Sequence, residues 1–176
     1  MNGFKKSHCG FYLPSMKPVP ILTRKLSFFQ KRMVMLRTRK WQIDEPDNFK
    51  LFIPFLDKTL VIPNYFLFDG ASIPRPFWPF LSPTGILFIP ALFHDFGYRY
   101  RCFLNEDFTL VYENENRKFF DDVFKEMSEW INNVPVAELI SWGSLRLFGH
   151  FVWARYRKSI NPFQVYKDFP DLGIIA

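Results

Sequence analysis

Three stretches of this chain repeat apolar residues at helical spacing, and they all lie in its second half. Between Glu115 and Asn132, the residues Phe120, Val123, Phe124, Met127 and Ile131 recur with a period near 3.6, which predicts an amphipathic helix. A longer apolar-rich run, "VAELISWGSLRLFGHFVWARYR", predicts a helix from Val136 to Arg157. Its Arg146, Arg155 and Arg157 lie among large apolar residues, which suits either an ordinary packed helix or one lying at an interface. A first helix is expected from about Pro90 to Phe103, because proline is tolerated in a first turn, where its missing N–H has no acceptor to lose.

The first half follows a different pattern. From Met33 to Pro63, "VMLRTRKWQI" alternates loosely, while "FKLFIPF" and "KTLVIP" are short apolar runs separated by the turn formers of "EPDN" and "LD". Short β-strands are expected there. The segment Asp69 to Gly85, "DGASIPRPFWPFLSPTG", carries too many prolines for regular helix and reads as a long loop. Strands followed by helices define an α+β domain over residues 33–160. Residues 1–32 form a basic, aromatic and proline-containing arm with no sustained period, and residues 161–176 read as an irregular tail.

Charge sharpens this division. Residues 1–40 hold ten Lys or Arg and no acid, whereas the other 136 residues hold thirteen basic and seventeen acidic residues, a net charge of −4. A mildly acidic domain thus carries a strongly basic arm. Phe4, Phe11, Tyr12, Ile21, Leu22, Phe28 and Phe29 make the arm too apolar for a purely solvated tail. Docking on a phospholipid surface, on other protein subunits or, by charge alone, on nucleic acid all fit its composition; no sequence-specific nucleic-acid module is present. No stretch is long and apolar enough for a transmembrane segment, and no apolar signal core opens the chain. Two cysteines, Cys9 and Cys102, give no disulfide framework.

The candidate chemistry centres on "FHDFGYRY", Phe93 to Tyr100. At about 100° per residue, Ala91, His94 and Tyr98 share one stripe of the first helix, with Asp95 beside it. An imidazole there is a usable general base if something orients its second nitrogen. On the next helix, Asp121 falls on the flank of the apolar face centred on Phe120 and Phe124, while Asp122 faces water. Asp69 and Asp95 remain as hard oxygen ligands suited to Ca²⁺, with Gly70 beside the first. The bland alternative is that His94 is a hydrogen-bonded core histidine. A multi-histidine metal phosphohydrolase is disfavoured, since only His8 and His150 remain. The two cysteines lack zinc-site spacing, and neither a Walker loop nor a GxSxG elbow occurs.

Two resemblances converge on these residues. "VIPNYFLFDGASIPRPFWPF", "ALFHDFGYRY", "FFDDVFKEM" and "LRLFGHFVW", in that order, resemble a phage and prophage family classed by a domain of unknown function. That resemblance spans about Met33 to Arg157 and implies host cytoplasm or virion as the place of action. The "DGAS…HDFGYR…DDVFKEM" series is also similar to the secreted phospholipases A2 of bacteria and fungi. This second resemblance implies a core of antiparallel helices in which His94 is the base and Asp121 its orienter. It further implies that Asp69, the carbonyl of Gly70, and Asp95 bind calcium; Tyr98 can support Asp121. The chain departs from that pattern in having Ala71 and Ala91 or Leu92 where those enzymes carry disulfide cysteines, and in the insertion Phe103 to Asn116. Two functions are therefore expected: calcium-dependent phospholipid hydrolysis, or a non-catalytic virion protein that keeps the core as scaffold and docks its arm between subunits.

Overall fold

The structure is a computed structural model that describes residues 13–21, 23–35, 40–70, 85–158 and 161–172. The expectations for Phe4, Phe11, Tyr12, Leu22 and the loop residues 71–84, including Ala71, Phe77, Trp78 and Phe80, lie outside the described residues. The architecture is α+β, with antiparallel strands preceding the main helices.

Two small sheets form the β portion. In the first, β1 (Met16–Pro18), β2 (Trp41–Ile43) and β5 (Leu67–Phe68) lie in the order β1-β2-β5, all antiparallel. In the second, β3 (Phe49–Ile53), β4 (Lys58–Ile62), β6 (Phe103–Asn105) and β7 (Leu110–Val111) run in that order. Strand β3 alternates as its sequence demands: Phe49, Leu51 and Ile53 are buried while Lys50 and Phe52 face outward. The β3–β4 hairpin pairs Phe49 with Ile62 and Ile53 with Lys58, turning through a 3-10 turn at Pro54–Leu56 and Asp57 in left-handed conformation. Leu60, Val61 and Ile62 are all buried, as expected of a strand paired on both sides and covered by helix.

The helices α2 (Phe88–Tyr100), α3 (Arg117–Ile131) and α4 (Pro135–Arg157) pack on one another; α3 and α4 match the expected spans, whereas α2 ends at Tyr100 and Phe103, expected at its end, opens β6. Helix α2 begins two residues before Pro90, so the proline sits in the first turn, where no acceptor is lost. It ends at Arg101, left-handed with φ 57°, whose N–H donates to the carbonyl of Gly97. Arg157 of α4 closes the same end, its Nη2 donating to the carbonyls of Tyr98 (2.6 Å) and Arg99 (3.1 Å). Asn116 caps α3 by accepting from the Phe119 N–H at 3.0 Å. Aromatic rings fill the interior: Phe66 against Phe96 and Phe169, Phe93 against Phe103, and Phe120 against Phe103 and Trp153.

Three segments differ from the sequence expectation. The arm contributes β1, which pairs with β2, and an eight-residue helix α1 (Phe28–Met35). Ser27 and Gln30 form a reciprocal capping box at its start, a local signal that outweighs the loose alternation read from Val34 onward. The insertion between the first two helices folds as the β6–β7 hairpin, extending the second sheet from β4. The tail expected to be irregular carries α5 (Gln164–Asp168) and a 3-10 turn, and it buries Val165 and Leu172 in the main core.

Candidate functional site

Helices α2, α3 and α4 converge on one buried carboxylate. Asp121, on α3, has no solvent exposure. His94 Nε2 lies 3.2 Å from its Oδ1, and the Tyr98 hydroxyl donates a short hydrogen bond to the same oxygen. Arg146 Nη1, from α4, donates to Oδ2 at 3.2 Å, and Arg117 Nε lies 3.9 Å from that atom. The helical pattern explains the arrangement: His94 and Tyr98 are one turn apart on the buried stripe of α2, and Asp121 follows the core residue Phe120.

Two glycines permit this close approach. A Cβ on Gly97 would meet Phe120 Cδ1 at 2.3 Å, so the α2–α3 crossing requires glycine there. A Cβ on Gly149 would meet the Tyr98 hydroxyl oxygen at 2.6 Å. That oxygen reaches Asp121 because α4 has no side chain in its way.

The electrostatics follow from burial and these contacts. For Asp121, burial opposes ionisation, but the hydrogen bonds from His94, Tyr98 and Arg146 outweigh it and hold the carboxyl below its ordinary range. For His94, burial disfavours the cation, yet hydrogen bonding to Asp121 and Asp95 outweighs it and raises the pKa above the ordinary value. Burial and the bond to Asp121 push the Tyr98 hydroxyl well above its ordinary value, so it remains a donor. Ionised Asp121 can only accept hydrogen bonds, so Nε2 of His94 carries a hydrogen, and in the neutral ring Nδ1 then keeps the lone pair. Nδ1 points toward Asp95, 3.8 Å from Oδ1. The ring of Tyr98 lies 4.0 Å from the imidazole centroid, and Phe124 meets it edge-on at 5.5 Å.

Asp69 and Asp95 form a second carboxylate group beside this cluster. Burial first, and then the neighbouring Asp69 carboxylate, raise Asp95 to about 6, with His94 opposing the shift. A neighbouring negative charge disfavours ionisation of Asp95, and a hard cation bound there would relieve it. Gly70 is buried and left-handed, with φ 80°. Among the described residues no group of three His, Cys, Asp or Glu side chains could hold a metal, so backbone carbonyls and water would have to complete a calcium shell around this pair. The donor chemistry suits calcium: oxygen only, and two carboxylates.

His94, Tyr98 and Asp121 are thus brought together, and Asp69 and Asp95 meet next to them. The sequence reading assigned no role at the carboxylate to Arg117 or Arg146. Arg117 lies one turn before Asp121 on the same helix, the i to i+4 spacing that brings cation and carboxylate together, and this spacing is readable. Arg146 comes from another helix and leaves no local signal. Two shallow depressions, lined by Pro54, Phe55, Lys125 and Trp130 and by Phe52, Asp57, Lys58 and Glu106, include no residue of this cluster.

The fold and site define an α+β protein with a buried His–Asp–Tyr cluster spanning packed helices. The chain belongs to the family described as a protein of unknown function, DUF1353, whose pattern matches residues 41–144. That match includes His94, Tyr98, Asp121 and the carboxylate pair but ends before Arg146 and Gly149. No curated protein and no solved structure matched the chain.

Proposed function

We propose that the chain is a calcium-dependent ester hydrolase of the phospholipase A2 type, acting on phospholipid. The observation that carries this reading is the His94–Asp121 pair through Nε2, with Nδ1 of His94 facing Asp95. In this reading Nδ1 takes a proton from water as the water attacks the ester carbonyl. Asp121 stabilises the resulting imidazolium through Nε2, and Tyr98 and Arg146 keep the carboxylate in place. Asp69, the carbonyl of Gly70, and Asp95 would hold calcium, which when bound supplies positive charge for the developing oxyanion and the substrate phosphate. The reaction breaks the acyl C–O bond of the ester and releases a fatty acid and a lysophospholipid.

One observation favours a second reading. His94 is only 5% exposed, as expected if the cluster is a buried hydrogen-bond network and the protein a structural or accessory component of a phage virion. In that case the basic residues before Trp41 dock against other subunits.

The test is fatty-acid release from mixed phospholipid vesicles, with calcium and with chelator, using the native protein and His94→Gln. Hydrolysis predicts calcium-dependent release that the substitution abolishes. Folded protein that releases nothing under either condition would sink the enzymatic reading and leave the structural one.

A further inference from the structure

Helix α4 is apolar on both sides. Its inner side holds Ala137, Ser141 and Leu145, and it delivers Arg146 to Asp121. Its outer side presents Val136, Leu139, Leu147 and Phe151, which are 64 to 70% exposed, with His150, Ala154 and the lightly covered Gly143 between them. At 100° per residue, positions 136, 143, 147, 151 and 154 fall on one stripe running almost the full length of the helix. A water-facing stripe would ordinarily be polar, and this one requires cover.

The charge on the same helix indicates what that cover is. Its only acid, Glu138, is buried and accepts a hydrogen bond from the Val134 N–H at 2.8 Å, so it presents no negative charge outward. The C-terminal end of the helix carries exposed Arg155 on the flank of the stripe, and exposed Lys158 follows in line with it. Residues 1–40 add ten basic residues and no acid. No helix among the described residues is long and apolar enough to cross a membrane. A helix with an exposed apolar outer face, a basic C-terminal end and no outward acid has the character of an interfacial helix, which lies on a bilayer rather than crossing it.

We propose that the outer face of α4 (Val136, Leu139, Leu147 and Phe151, with Arg155 and Lys158) seats the protein on an anionic phospholipid surface. This deepens the hydrolase reading, since the helix that would rest on lipid is the one whose inner side completes the Asp121 cluster. Binding and hydrolysis remain separable properties of the chain.

The experiment is co-sedimentation of the full chain with phosphatidylcholine vesicles, with and without phosphatidylglycerol. The proteins are the native chain, the double variant Leu147→Glu/Phe151→Glu, the single variant Phe151→Glu, and Phe163→Glu, which places the same charge as the single variant at an exposed aromatic elsewhere. Far-UV circular dichroism confirms that each is folded. The expected result is binding to the anionic vesicles that falls at least tenfold in the double variant and is unchanged in Phe163→Glu. Native protein that ignores anionic vesicles, or a double variant that binds as well as the native chain, overturns the proposal. So does light scattering in which the native chain is a dimer and the double variant a monomer, because a second copy would then be the cover. His94→Gln separates the two readings. Binding without hydrolysis in the native chain refutes only the enzymatic one, and hydrolysis of dispersed short-chain substrate without vesicle binding refutes only the surface.

Discussion

Gly149→Ala tests the closeness of α2 and α4 at the candidate site. The added Cβ would lie 2.6 Å from the Tyr98 hydroxyl oxygen, while the ring atoms Cε1 and Cζ stand at an ordinary 3.4 Å. The clash is therefore with the hydroxyl alone. Relieving it moves that oxygen away from Asp121, which weakens a hydrogen bond to a charged group worth about 1.5–3 kcal/mol. Against this stands a gain of about 1 kcal/mol from replacing glycine by alanine inside a helix. The net expectation is a loss of about 0.5–2 kcal/mol in the native background. In a Tyr98→Phe background the hydroxyl is gone, only the helix gain remains, and the same substitution should stabilise by up to about 1 kcal/mol. The sign reverses, giving a coupling of about 1.5–3 kcal/mol. Urea denaturation of the four proteins, monitored by tryptophan fluorescence, measures it. A Gly149→Ala cost that is equal in both backgrounds would refute the reasoning, because the clash would then lie elsewhere.

Other outcomes follow from the same geometry. Asp121→Asn should destabilise by about 2 kcal/mol at neutral pH, since an amide nitrogen would face Arg146 in a buried site. Because the native carboxyl is held below its ordinary range, its stabilisation is complete above the unfolded value and is lost as pH falls through the folded one. Denaturation curves of the two proteins should therefore converge in acid and diverge at neutrality. Asn116→Ala removes the α3 cap and should cost about 1 kcal/mol in a thermal melt. Cys102 is buried and its thiol is pushed up to about 12, with desolvation as the main cause. The peptide containing it should resist iodoacetamide at pH 8 in the folded protein and react on unfolding, as read by mass spectrometry.

The sequence disclosed those parts of the molecule whose signal is periodic or local. The apolar positions of α3 set its span and the flank on which Asp121 lies, and Pro90 marked the first turn of α2. Burial on β3 alternates in step with its sequence. What escaped was decided by contacts distant in the chain. Strand β1 exists because Met16 pairs with Ile43, and three residues carry no pattern of their own. Val165 and Leu172 look like scattered apolar residues in a tail with no period until the core supplies partners for them. The helix α1 was readable in principle from Ser27 and Gln30, but a loose alternation overrode it.

Asp121 shows why the site was only half legible. Its link to His94 follows from two helical stripes facing each other, which spacing alone suggests. Its charge balance does not, because that depends on Arg146 from a helix 25 residues away and on Gly149, which leaves room for the Tyr98 hydroxyl. A neutral amide could also accept from Nε2, and without the desolvation cost of a buried charge. Here three donors, from His94, Tyr98 and Arg146, with the Arg117 guanidinium nearby, surround one carboxylate and keep it ionised beneath an imidazole whose other nitrogen faces Asp95. That arrangement favours a role in which His94 takes on a proton and its charge must be matched. Such a role is the one the proposed hydrolysis would use, and fatty-acid release that is lost in His94→Gln tests it.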